Sequence, residues 1–176
     1  MMFHLKGYDF LSRPRLEKRF KCKIAKKLGV GDFGTAYLLK GGKRVLKITT
    51  DVAEISAIKR IASLERKSGK KLSGFVKIFG KPRKLKSETD FEEPVYGYIR
   101  EYVDRKERVF GTDYEWDLLT NICGYLTEVV NSKIPKNIIN SALELASRGY
   151  SIADLHSRHV GKSGRSWKIF DVRGEV

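Results

Sequence analysis

Three glycines, one lysine within an apolar run and two aspartates 17 residues apart have the types and spacing for chemistry in this 176-residue chain. Gly29, Gly31 and Gly34 fit the pattern G-x-G-x-x-G. Glycine lets backbone amides come close to an anion, so such a loop suits phosphate. In one setting the loop joins a strand to a helix and serves a dinucleotide. In another it joins two antiparallel strands and covers nucleotide phosphates. A plain hairpin turn would use the same residues with no ligand. Here Ala36-Tyr37-Leu38-Leu39 follows the glycines, Gly41-Gly42 marks a turn, and Val45-Leu46-Lys47-Ile48 reads as another strand. A helical pattern begins only after Asp51, which favours the antiparallel setting.

Other elements must position these residues. Phe20, Cys22 and Ile24 alternate with Lys21, Lys23 and Ala25, predicting a half-buried strand that runs into the glycines. Ile55, Ile58, Ile61 and Ala62 share one helical face, and Asp51 with Glu54 three residues on resembles a capping box. Phe75-Val76-Lys77-Ile78-Phe79 predicts a fourth strand and Val95 to Val103 a fifth. Residues 81–93 between them are polar and predict a long loop, with Pro82 and Pro94 near its ends. Two helical stripes follow: Trp116, Leu119, Ile122, Leu126 and Val129, then Ile138, Ala142, Leu145 and Ala146. These apolar residues are expected in the core. There is no internal repeat and no low-complexity tract.

The chain carries 36 Lys plus Arg against 21 Asp plus Glu, a net +15, very unevenly spread. Residues 1–86 hold 24 basic and 6 acidic side chains, residues 87–132 hold 4 and 11, and the last 44 hold 8 and 4. The first half should attract anions: phosphates, nucleic acid or an acidic protein. Its densest block spans residues 13–27, from Arg13 and Arg15 to Lys26 and Lys27. A solvated face with a basic arm explains that block, and nucleic-acid contact is the side reading. A hydrophobic content of 41% argues against disorder. Cys22 and Cys123 are too few for a disulfide scaffold or a cysteine-rich zinc site. No apolar run is long enough to span a bilayer and the N-terminus lacks a signal-like block, so a cytoplasmic protein with no membrane partner is expected.

From residue 20 onward the chain resembles the protein kinase-like family. Gly29-Val30-Gly31-Asp32-Phe33-Gly34-Thr35-Ala36-Tyr37 resembles its phosphate-covering loop, and Val45-Leu46-Lys47-Ile48 its third strand with the phosphate-binding lysine. Glu54 to Ile61 resembles its C-helix, and Phe75 to Phe79 its fourth strand. Arg100-Glu101-Tyr102-Val103 resembles the fifth strand and hinge. Asp154-Leu155-His156 resembles the catalytic loop, and Phe170-Asp171-Val172-Arg173-Gly174 the metal-binding segment. The short form is similar to compact phage and bacterial Ser/Thr kinases, the host-modifying kinases of T7-like phages among them, and to aminoglycoside-type kinases.

The resemblance implies an α+β, protein kinase-like two-lobed fold. Its N-lobe would be an antiparallel sheet with one helix over residues 20–103, and its C-lobe a minimal helical half over 104–176. Residues 1–19 would form an extension whose Phe3, Leu5, Tyr8, Phe10 and Leu11 pack on the sheet or on a partner. It also implies roles. Gly29, Val30, Gly31, Asp32, Phe33, Gly34, Ala36 and Val45 would surround ATP. Lys47 would meet its phosphates, Glu54 would orient Lys47, and Asp154 would orient and deprotonate the acceptor hydroxyl. Asp171 would hold Mg²⁺. Backbone groups of Glu101 and Val103 would meet adenine, and Glu107 the ribose. Plainer readings stand beside these: Lys47 as a surface lysine, Glu54 as a helix cap with Glu65 as the fallback partner, and Glu107, Asp154 and Asp171 as ordinary surface acids.

Three departures from the family pattern matter. Ile152-Ala153 stands where the family has His-Arg. His159 stands where it has a metal-binding asparagine, and imidazole suits Mn²⁺ better than Mg²⁺. A phosphate-facing cation and a plain packed ring are the other readings of His159, while a zinc site with His156 has too few ligands. The sequence ends five residues after Asp171, which leaves three expectations open: a minimal kinase, a nucleotide-binding relic, or a C-lobe completed by a partner chain or a second copy. The expected activity is ATP-dependent phosphorylation of Ser or Thr in a protein substrate, an acidic one given the basic half. The alternatives are a nucleotide-binding pseudokinase acting through a partner and a small-molecule kinase.

Overall fold

The computed structural model describes residues 11–86, 93–104, 119, 133–150, 152–153 and 159–174. The chain is α+β and divides into two compact units: residues 1–52 with 77–102, and residues 53–76 with 103–176.

Among its described residues the first unit is a five-stranded antiparallel sheet with one helix. The helix α1 (Arg13–Phe20) precedes β1 (Ile24–Gly31), β2 (Gly34–Leu39) and β3 (Arg44–Thr49). β4 (Ile78–Leu85) and β5 (Val95–Glu101) complete the sheet in the order β1-β2-β3-β5-β4. Strand, glycine turn, strand, glycine turn, strand is thus the chain order, as the resemblance implies. Gly41 and Gly42 both take positive φ, 93° and 70°, where a side chain would be strained.

The strand expected from Phe20 is a correction. Residues 13–20 are helical, because Leu16 and Phe20, four apart, both turn into the core at 1% and 8% exposure. The helix ends at Lys21, held left-handed at φ 50°. There the Cys22 N–H reaches the Glu17 carbonyl at 3.1 Å, a Schellman-type turn. The alternation of Phe20, Cys22 and Ile24 therefore comes from a helix end, a turn and a strand start. Leu11, Leu16 and Phe20 join Ile24, Tyr37, Leu39, Leu46, Ile48, Leu85 and Val95 in one buried cluster. Gly97 makes room for this docking, since a Cβ there would lie 2.5 Å from the Phe20 ring.

Glu17 ties α1 to β1. Its carboxylate accepts the Ile24 N–H at 2.8 Å and pairs with Lys23 at 3.0 Å and Arg13 at 3.3 Å. The Ile24 amide above all, then Lys23 and Arg13, pull its pKa from 4.5 to about 2. A pKa lowered on folding stabilises the native state above the unfolded value, and that contribution disappears as pH falls through the folded value. Glu17 is therefore expected to titrate at about 2 in the folded protein, read by its side-chain carboxyl NMR shift. In Glu17→Gln, the acid loss of stability between about pH 4.5 and 2 should shrink. Titration of Glu17 near 4.5 would refute this docking.

The fourth strand also differs from expectation. Phe75 and Val76 pair with Ile169, while β4 starts at Ile78 and runs through Lys81–Leu85 into the expected loop. A bulge between Phe79 and Arg83 spans Pro82, and an edge strand tolerates a proline that donates no hydrogen bond. β5 ends at Glu101 rather than Val103.

The second unit holds most of α2 (Val52–Ser68) and α3 (Lys136–Ala146). It also holds two antiparallel pairs: β6 (Ile152–Ala153) with β9 (Arg173–Gly174), and β7 (Val160–Ser163) with β8 (Ser166–Ile169). Residues 53–76 group here, rather than with the sheet, because Ala57, Leu64 and Phe75 share one buried cluster with Ile138, Ala142, Leu145, Val160 and Ile169. Gly74 seats that cluster: its N–H donates to Ser141 Oγ at 2.8 Å, and a Cβ there would lie 2.6 Å from the Asn137 carbonyl. The helical stripe of residues 116–129 lies outside the described residues except Leu119, which is helical and buried. Among the described residues no helix is long and apolar enough to cross a membrane.

Candidate functional site

The glycine loop is a tight hairpin. Gly31 pairs with Gly34, leaving Asp32 and Phe33 as its turn. Thr50, just after β3, holds the tip: its N–H and hydroxyl both donate to the Phe33 carbonyl, at 2.9 and 3.3 Å.

Register decides which way side chains point, because directly paired residues of antiparallel strands share a face. Gly29 pairs with Ala36, Ala36 with Lys47, and Lys47 with Tyr98. Leu38 pairs with Val45, and Val45 with Arg100. Gly31, Gly34 and Thr49 continue the same face at the hairpin tip. Gly29, Gly31, Gly34, Ala36, Val45 and Lys47 therefore lie on one face, opposite the face on which α1 packs. Val30 pairs with Thr35 and belongs to the α1 face, although it is 44% exposed.

The three glycines differ in what they do. A Cβ at Gly34 would lie 2.0 Å from the Ile48 carbonyl oxygen, so the sheet itself requires glycine there. A Cβ at Gly29 or Gly31 would meet nothing within 4 Å, and neither has positive φ. Internal packing gives no reason for glycine at those two positions. Their bare backbone leaves open space on the face that carries Lys47, where a phosphate could approach the main chain.

Other expected residues fall as follows. Glu101 is engaged locally: its N–H donates to the Lys77 carbonyl at 2.9 Å, and its carboxylate accepts the Lys77 N–H at 3.2 Å. Val103 is buried against Gly161. Glu54 is 1% exposed in the first turn of α2, which is not the setting of a solvated cap. Glu65, the fallback, is occupied by Lys71 at 2.8 Å and the Leu72 N–H at 2.9 Å. Asp171 is half-buried between β8 and β9. Ala153, the residue before Asp154, pairs with Arg173, two residues after Asp171, so the β6–β9 ladder closes the loop that carries Asp171 and His159. The His159 carbonyl accepts the Phe170 N–H at 2.8 Å, and its ring stands edge-on to Phe170 with centroids 6.4 Å apart. Among the described residues no group of three His, Cys, Asp or Glu side chains could hold a metal. Glu107 and Asp154 lie outside the described residues.

Tyr98 and Arg100 were not expected on the Lys47 face, at 2% and 7% exposure. Alternation along β5 from the core residue Ile99 would have found them.

No protein-family model matches the chain, and no curated protein does. Among solved structures, vaccinia related kinase 3 aligns over 84% of this chain and 45% of its own, at 8% identity and TM-score 0.44. An aminoglycoside phosphotransferase with ADP bound aligns over 92% of this chain and 70% of its own, at 14% identity and TM-score 0.42. The chain thus spans less than half the length of the first of these.

Proposed function

We propose that this chain is a phosphotransferase whose glycine-lined sheet face binds a nucleoside triphosphate. The supporting observation is the shared face: Gly29 and Gly31 leave open space beside Lys47, and the fold needs neither glycine. In this reading the backbone at 29–34 receives the phosphates and Lys47 offsets their charge. Val45, Glu101 at the end of β5 and Val103 just beyond it receive the base, and Glu107 the ribose. Asp171 offers the hard carboxylate oxygen that Mg²⁺ prefers, and bound Mg²⁺ would neutralise charge on the phosphates. Asp154 accepts the acceptor hydroxyl's proton as the acceptor oxygen bonds to the γ-phosphorus and the bond to the bridging oxygen breaks. Glu54, a buried acid, is the carboxylate assigned to Lys47. A protein Ser or Thr is the proposed acceptor.

The packing of His159 on Phe170 favours a second reading, nucleotide binding without turnover, because an imidazole stands where an oxygen ligand is expected. Incubation with γ-labelled ATP or GTP, with Mg²⁺ and then Mn²⁺, separates the two. The protein itself and a cell lysate serve as acceptors. Labelled protein is expected, falling about 100-fold or more in Asp154→Ala. Binding without label would select the second reading, and no binding would overturn both.

A further inference from the structure

We propose that Arg100 reads the base of the nucleotide and makes the site prefer guanine to adenine, an inference that rests on the nucleotide-binding reading above. Arg100 lies on the same sheet face as Lys47, because it pairs with Val45 on one side and with Ile78 on the other. It is only 7% exposed, and Val45 beside it is 1% exposed. Its Nη1 donates to the Glu101 carbonyl at 3.3 Å, which keeps the guanidinium at the end of β5.

Its place along the face is that of a base and not of a phosphate. Reading along β3, Thr49 pairs with Gly34 at the hairpin tip, Lys47 with Ala36 and Tyr98, and Val45 with Arg100. At about 3.4 Å per residue, Arg100 stands about 7 Å beyond Lys47 and about 14 Å beyond the hairpin tip. With the hairpin and Lys47 at the phosphates, Arg100 thus stands further along the face, where the base of an extended nucleotide would lie.

The chemistry then selects the base. A guanidinium has five N–H donors and no acceptor. Guanine presents two adjacent acceptors, N7 and O6, which a guanidinium meets with two parallel hydrogen bonds. Adenine presents N7 beside the N6 amine, so one donor faces another. Apolar neighbours such as Val45 and Ile78 strengthen the matched pair and make the mismatch costly.

The test is equilibrium binding of the β,γ-imido analogues of GTP, ITP and ATP, with Mg²⁺, to the whole chain. Inosine keeps N7 and O6 but lacks the N2 amine. The GTP and ITP analogues are expected to bind alike, each about tenfold or more tighter than the ATP analogue. Arg100→Met should erase that ratio in the folded protein. Where it fails to fold, Arg100→Lys decides: a lysine keeps the charge without the fork, so the ratio should fall to about threefold or less. Equal affinities in the native protein, or a ratio that survives these substitutions, would overturn the role of Arg100 and leave the nucleotide site standing. Binding of none of the three would overturn both.

Discussion

Gly34→Ala should cost the first unit about 3 kcal/mol or more, whereas Gly29→Ala and Gly31→Ala should melt like the native chain and bind nucleotide at least tenfold more weakly. The contrast comes from what stands where each methyl would go. At Gly34 it is the Ile48 carbonyl oxygen, 2.0 Å from the added Cβ. That oxygen belongs to β3 and is held by the pairing of β3 with β2 and β5, so it cannot withdraw as a flexible side chain could. Separating the strands would disturb the ladder that aligns Thr35 with Ile48 and Ala36 with Lys47. At Gly29 and Gly31 the added methyl meets empty space, so stability has no reason to fall. Any loss must come from a ligand that occupies that space. Thermal melts and nucleotide titrations on the three variants read the two effects separately. Unchanged affinity in both Gly29→Ala and Gly31→Ala would leave the hairpin a plain turn.

Much of this was legible in the sequence, and the failures have physical causes. The order of strands around the glycines could be read because Gly41-Gly42 marks a turn and Val45 to Ile48 is an apolar run around one lysine. Alternation along β2 and β3 then puts Ala36, Val45 and Lys47 on one face once the turn sets the register. The helix α1 was not legible, because three residues with a period of two are too few to tell a strand from a helix end beside a strand start. Phe75 to Phe79 reads as one strand, but Phe75 and Val76 pair with Ile169, and the chain joins the sheet only from Lys77, whose carbonyl accepts the Glu101 N–H. The pattern of three glycines cannot say which one the fold needs. That depends on the approach of the Ile48 carbonyl, a tertiary fact. Arg100 was passed over because composition counts an arginine as surface, while β5 buries it by alternation.

Lys47→Met should lower nucleotide affinity about 100-fold or more while the chain stays folded. The two readings of Lys47 differ enough in magnitude for one titration to separate them. A lysine in open solvent, 4 Å from a phosphate charge, contributes about 1 kcal/mol, a change of about fivefold. The same pair at an effective dielectric near 20, suited to a half-buried group, contributes about 4 kcal/mol, or about a thousandfold. Lys47 is half-buried, flanked across the sheet by Ala36 and by the 2%-exposed Tyr98. Methionine fills nearly the same volume with an apolar, flexible chain, so the stem keeps its packing while the charge and its polar contacts go. Lys47→Arg keeps the charge but brings a planar fork between Ala36 and Tyr98, and should recover only part of the affinity. A loss of fivefold or less in Lys47→Met would place the lysine in open solvent and move the phosphates off this face. A loss of a hundredfold in a chain that stays folded would tie the one cation of the Val45–Ile48 run to the space that Gly29 and Gly31 leave open.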